Sequence, residues 1–350
     1  MKKTAVFINK LFLDHQPGFQ HVESPERLAV IYEQLARPEF QARYLFPKFS
    51  AATPEMLQRI HTPAHVARVA ATAGRPFASL DPDTQTSPQS YEAARLAAGA
   101  VIKGVEMVMA GACDNGFALV RPPGHHAEAD RAMGFCLFNN IAVGARHALD
   151  ALGATRILLV DWDLHHGNGT QHSFYDTDRV LYFSTHQYPY YPGTGGVDEV
   201  GVGRGKGFTI NVPLRGGLND RAYLRIFNEI LAPVARQYRP DLIMVSAGFD
   251  IFVGDPLGSM AVTTQGFAGL ARILTKLAEE LCDGRLFMVL EGGYNLEGQK
   301  DGVLAVLAEL SGHGYGLPVN GADNKFLSQG EIQIPGLNQT RDIAKKYWNI

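Results

Sequence analysis

Cysteine is scarce in this chain: Cys113, Cys136 and Cys282 are the only three among 350 residues, odd in number and far apart. That excludes a disulfide framework and a CxxC zinc knuckle, and it suits a reducing compartment, so cytoplasmic residence is expected. Charge is sparse as well, with 19% charged residues, a formal net charge of -3 and no run of five basic residues. A surface so balanced has no field with which to gather nucleic acid, and no such partner is expected. The apolar stretch near the start is interrupted by Asn9, Lys10 and Asp14, too early for a signal or membrane segment. Internal repeats, low-complexity tracts and Gly/Ser linkers are missing too, so one domain over 1–350 is the simplest organisation. With 46% apolar residues, a globule of this length buries roughly 75% of its unfolded surface and needs no structural metal. Any metal it binds is expected to be catalytic.

What is present is a repeating architecture. Short apolar runs read as buried strands at Ala5 to Ile8, Phe117 to Val120, Ile157 to Val160, Val180 to Phe183, Leu242 to Val245 and Leu286 to Leu290. Between them, helical periodicity runs from Tyr91 to Ala110, Asn140 to Leu152, Asp220 to Tyr238 and Thr264 to Leu281, each stretch long enough for a crossover. Alternation of this kind predicts an α/β fold with a parallel sheet between helical layers. Ser24-Pro25, Thr53-Pro54 and Thr62-Pro63 each offer a hydroxyl cap followed by a proline at the first helical position.

Unusual residues gather where strands end. FALV runs into RPPGHHA, ILLV into DWDLHHGNGTQ, LIMV into SAGFD, and FMVL into EGGYN. Ligands bind at the carboxyl ends of strands in an open parallel sheet, so these four exits predict one shared site. Asp161, Asp163 and His165 alternate, so an extended chain would turn all three to one side, and carboxylate with imidazole suits zinc, iron or manganese. Asp250 delivers a further acid from a small-residue turn, while Asp255, before Pro256, reads as a turn residue. His125 and His126 supply a base and an acid for metal-assisted amide hydrolysis, with Asp161 and Asn168 as partners that fix their tautomers. Tyr294 could donate to a developing oxyanion.

Together these motifs closely resemble the zinc-dependent histone deacetylase and acetylpolyamine amidohydrolase family, over nearly the whole chain from HVESPERL onward and weakly in the last forty or so residues. The resemblance implies an arginase-like three-layer α/β/α catalytic domain with a mostly parallel sheet of about eight strands, and a C-terminal extension packed on it. It assigns one zinc to Asp163, His165 and Asp250, general base and acid chemistry to His126, an electrostatic role to His125 with Asp161, and the transition-state hydrogen bond to Tyr294. A structural potassium is implied at Asp161, with backbone oxygens of Asp163, His165 and Thr185 and the Ser184 hydroxyl, and a weaker second site near Phe174, Thr177 and Val180. Gly134, Phe135 and Tyr191 would line an acyl-lysine tunnel, with Leu257 at its mouth, Asp81 or Asp83 at its rim, and Arg27 in an internal channel. Asn168 stands where some members carry an acid, and Tyr191 where phenylalanine is more usual.

The expected partner is then an acetylated lysine peptide or an acetylated small amine, with oligomeric state open and a homo-oligomer compatible. Polyamine-preferring relatives are expected to place an acid at the position of Leu257, whose apolar side chain favours acetyl-lysine. A manganese ureohydrolase would need a second metal and a DAHxD run, which is missing, and a silent acetyl-lysine binder would have lost Tyr294 or a metal ligand.

Overall fold

The computed structural model describes residues 1–18, 20–315 and 333–350. All six apolar runs form strands of one parallel sheet. Its members are β1 (Thr4–Phe7), β4 (Asn115–Ala118), β5 (Ile157–Asp161), β6 (Val180–Gln187), β7 (Thr209–Leu214), β8 (Leu242–Ala247) and β9 (Leu286–Leu290), in the order β1-β4-β9-β8-β5-β6-β7. A separate antiparallel hairpin pairs β2 (Ala78–Asp81) with β3 (Thr84–Thr86). Every residue of β1, β4, β5, β8 and β9 is buried. Continuous apolar runs, rather than alternating ones, are the signature of strands covered on both faces.

The sheet has seven strands where the resemblance implies about eight, and the seventh, β7, was not visible as an apolar run. Its sequence TINVPL is broken by Asn211 and Pro213, and an edge strand tolerates both because one side makes no ladder.

The helices Ser90–Met109, Asn140–Ala151 and Thr264–Leu281 fall within a residue of their expected spans. The stretch from Asp220 to Tyr238 differs by widening into a π-helical turn at Phe227–Leu231. Pro233 explains it: the ring cannot donate and crowds the preceding turn's carbonyl, so the helix loosens just before it. Thr53 and Thr62 cap their helices, accepting from Met56 N and His65 N. Ser24 makes no such cap, because the helix Glu26–Leu35 starts a residue later with Pro25 at the cap position.

Of the last forty residues, 316–332 lie outside those described, and the segment that carries the helix Leu337–Ala344 and Trp348 packs against the β7 edge. Thr340 Oγ1 donates to Asn211 O, and Trp348 donates Nε1 to Gly207 O at 2.8 Å with its ring against Phe208 and Tyr238. Trp348→Ala should therefore lower stability by about 2 kcal/mol, less than a fully buried tryptophan costs, while turnover per folded molecule stays constant. Chemical denaturation alongside active-site titration checks both halves.

Candidate active site

Five strand exits converge on one cavity of about 260 Å³. β4 leads to His125 and His126, β5 to His165, β6 to Tyr190 and Tyr191, β8 to Leu257, and β9 to Gly292 and Tyr294, all of them on its wall.

Asp163, His165 and Asp250 meet there, all buried, with their potential ligand atoms within 4.8 Å of one another. His165 Nδ1 stands 3.2 Å from Asp163 Oδ1 and 3.0 Å from Asp250 Oδ2. The extended chain expected through Asp161, Asp163 and His165 is not what brings them together. β5 ends at Asp161, and two consecutive side-chain turns follow, Asp163 N donating to Asp161 Oδ1 and His165 N to Asp163 Oδ1. Asp250 is fixed by Leu164 N and Asp163 by Gly292 N, at 2.8 Å each. Glycine at 292 is dictated by space, since a Cβ would lie 2.4 Å from Asp250 Oδ2 and 2.7 Å from Asp163 Oδ2.

The electrostatics describe buried carboxylates that draw protons onto themselves and onto the neighbouring imidazoles. Burial and the neighbouring Asp163 raise Asp250 to about 7. Burial would raise Asp163 too, but His125 and His165 outweigh it and hold that carboxyl well below its usual range. Burial works against a charged His165, yet its hydrogen bonds to the two aspartates carry it up to about 9. A set of two carboxylates and one imidazole whose charge is only partly neutralised by protons suits a divalent cation. Among the described residues this is the one such cluster.

The two histidines above it diverge. Burial would lower His125, but the Asp163 and Asp161 carboxylates hold it up at about 10, and its Nδ1 lies 3.1 Å from Asp161 Oδ2. His126 goes the other way: burial, then the positive His125 and His165, push it well below the usual imidazole range. Its Nδ1 meets Asn168 Oδ1 at 2.8 Å. Tyr294 keeps its proton, because burial raises its pKa well above that of a free phenol despite the opposing Arg27 charge.

Phe135 sits at φ 67°, a strained conformation for a side chain of that size. The β2–β3 hairpin holds it there, Thr84 Oγ1 accepting from Phe135 N and Asp83 Oδ1 from Gly134 N. Of the two acids expected near the rim, Asp83 lies on the cavity wall and Asp81 does not. Gly134 also stands at positive φ, and a Cβ there would meet His126 Cδ2 at 2.4 Å. Leu257 lines the cavity, its carbonyl accepting from Tyr190 OH at 2.7 Å.

Arg27 is buried and off the cavity wall. Its guanidinium donates to Gly293 O, Glu291 O, Gln299 and Glu23, and lies 4.9 Å from the Tyr294 ring centroid. Asp161 and Ser184 face each other in register across β5 and β6 behind the site, and Thr185 Oγ1 is buried without a partner. Phe174 O already accepts from Thr177 N.

Several contributors escaped the sequence reading. Asp255 is more than a turn residue: its Oδ2 accepts from Tyr294 N and Asn295 N, which sets the phenol in place. Glu291 accepts from Gly124 N and His125 N and so ties EGGYN to the histidine turn. Tyr190 stacks on His165 at 5.7 Å. An acid opening the EGGYN exit and a second tyrosine beside Tyr191 were the available signals.

Residues 21–310 match the model of the histone deacetylase domain. A probable deacetylase of Archaeoglobus fulgidus is 40% identical over 312 residues, covering 87% of this chain and 86% of its own. The polyamine deacetylase HDAC10 of Mus musculus is 41% identical over 83% of this chain, which spans only 45% of that relative's length. A crystal structure of an HDA15 HD domain superposes with a TM-score of 0.89 at 38% identity, covering 99% of this chain and 95% of the other. The chain belongs to the histone deacetylase family, hydrolases that act on amide bonds.

Proposed function

We propose that this chain is a zinc-dependent deacetylase that releases acetate from the ε-amine of acetyl-lysine or of related acylated amines. The observation that carries the reading is the pairing, on one cavity wall, of a neutral His126 and a protonated Tyr294 above the Asp163, His165 and Asp250 acceptors.

Zinc held by those three residues would polarise the acetyl carbonyl and lower the pKa of water from about 15.7 toward about 7. The remaining work belongs to the side chains. His126, uncharged at neutral pH, accepts the proton of the attacking water. Tyr294 donates its hydrogen bond to the oxygen that becomes negative. The same His126 proton then passes to the departing nitrogen, so that amine and acetate leave neutral overall. His125 stays charged beside Asp161 and supplies a fixed positive potential. Asp161, with the Ser184 hydroxyl opposite it and nearby backbone carbonyls, would hold potassium and stiffen the loop that carries Asp163 and His165. Three buried free thiols fit a cytoplasmic setting, and no described helix is long and apolar enough to cross a membrane.

Acetylated polyamines are the second substrate class. Asp83 on the wall favours them, since a carboxylate there could attract a distal ammonium, and the mouse relative is named for that activity. Leu257 on the same wall opposes them, because it offers that charge only apolar contact. The wild type should therefore show a higher kcat/KM for acetyl-lysine peptides than for N-acetylated putrescine or spermidine. Leu257→Glu should move the ratio toward the polyamines by about tenfold or more, equivalent to about 1.4 kcal/mol. A wild type that already prefers acetylspermidine, with Leu257→Glu leaving the ratio unchanged, would place the determinant elsewhere, with Asp83 the next residue to replace.

A further inference from the structure

Asn168 occupies the position where an acid would polarise the base, and an amide in that place raises a question of orientation. An asparagine can present either its oxygen or its NH2 to His126, and only the oxygen leaves His126 as a proton acceptor on the other ring nitrogen. Glu128, two residues after His126 and nine-tenths buried, decides between them. Its Oε1 lies 2.5 Å from Asn168 Nδ2. Hydrogen bonds from His172 and Asn168 more than offset the effect of burial and keep this carboxyl ionised. An ionised carboxylate only accepts, so the NH2 of Asn168 must face it. The carbonyl O of His126, 3.3 Å from the same Nδ2, asks for the same orientation. Asn168 Oδ1 is thereby turned to His126 Nδ1 at 2.8 Å, which makes Nδ1 the protonated nitrogen and leaves the lone pair on Nε2. On its outer side Glu128 is held by the half-exposed His172, whose Nδ1 lies 2.9 and 3.0 Å from its two oxygens.

We infer that Glu128 is a positioning residue for catalysis, acting through Asn168 to fix the tautomer of His126, with His172 steadying it from the surface. The pair Asn168–Glu128 replaces a single acid with an oriented dipole backed by a charge one hydrogen bond further away. That keeps the carboxylate off the imidazole, so His126 remains a weak base held in the correct tautomer. Neither Asn168 nor Glu128 lines the cavity, so substrate affinity has no direct stake in them.

The inference rests on the deacetylase reading, and the test separates the two. Loss of an outer hydrogen-bonding partner typically costs about 10–100-fold. Glu128→Ala should accordingly lower kcat by about tenfold or more, with KM and bound zinc unchanged. Glu128→Gln, whose carbonyl can still accept from Asn168, should restore most of the loss. The decisive measurement is the double substitution: in an Asn168→Ala background, Glu128→Ala should cost nothing further, because the residue acts only through Asn168. Glu128→Met, alone and with Asn168→Ala, fills the volume and carries the same comparison should the alanine variant fail to fold. Equal losses in both backgrounds, a kcat within twofold of wild type for Glu128→Ala, or a loss confined to KM or metal content would each overturn the positioning role. Wild type and His126→Ala are assayed alongside. A wild type inactive on every acetylated amine would sink the functional reading itself, whereas turnover that needs His126 but not Glu128 sinks only the inference.

Discussion

Asp163→Ala and Asp250→Ala should each lose zinc and activity together, with turnover falling by about three orders of magnitude or more, the several kcal/mol that a Lewis acid contributes. Each aspartate supplies one of only three protein ligands, and neither has a substitute within reach, since the cluster they form with His165 is the one of its kind among the described residues. The wild type should hold one zinc per chain by elemental analysis and lose activity to a strong chelator. Metal uptake should also release protons. The metal-free His165 is held protonated to about pH 9 and Asp250 to about pH 7, and both must shed those protons to bind. Affinity should therefore rise with pH up to about 9 and fall below about 7. Because Asp250 Oδ1 also accepts from Leu164 N, its removal could loosen the loop, so Asp250→Asn serves as a companion that keeps an acceptor there. Full zinc occupancy in Asp250→Ala, or two manganese ions per wild-type chain, would sink the metal assignment.

The parts legible from sequence are those in which a single local rule decides the outcome. Doubly covered strands such as ILLV and LIMV announce themselves as apolar runs, and their exits carry the unusual residues because a parallel sheet places its site there. β7 failed that test for the same reason inverted, since an edge strand is free to hold Asn211 and Pro213. The convergence of Asp163, His165 and Asp250 was foreseeable, but its means was not. Alternation suggested an extended strand, whereas the aspartate side chains bend the backbone by capturing the N–H groups two residues on. Least legible were the carboxylates Glu128, Asp255 and Glu291. Each acts across 39 or more residues of chain, by turning an amide or receiving backbone N–H groups, and no local pattern marks an acid as the partner of a distant turn. Asp81 and Asp83 show the finer limit: two residues apart in one hairpin, they are distinguished by their partners, Asp81 Oδ1 accepting from Asp83 N and Asp83 Oδ1 from Gly134 N.

Tyr294→Phe is the cleanest probe of the chemical step, because everything that positions this ring is independent of its hydroxyl. The backbone N–H of Tyr294 is held by Asp255 Oδ2 at 2.7 Å, its ring lies over the Arg27 guanidinium at 4.9 Å, and its edge meets Phe135 at 6.1 Å between centroids. Phenylalanine keeps all three contacts. Stability should therefore stay within about 0.5 kcal/mol of wild type, the range of a substitution that disturbs no packed group. Zinc content should be unchanged, since the phenol is not among the ligands. What is lost is the donor aimed at the developing oxyanion, and kcat should fall by about 10²–10³ with KM little altered. The donor is effective because burial holds the phenol protonated well beyond physiological pH, so its loss should be felt equally across the neutral range. His126→Ala removes the group that both accepts and returns the proton, and should be at least as damaging. Near-full turnover of an acetyl-lysine substrate by Tyr294→Phe would reassign the phenol to packing. A matching drop in zinc content would instead mean that the hydroxyl helps to hold the metal site together.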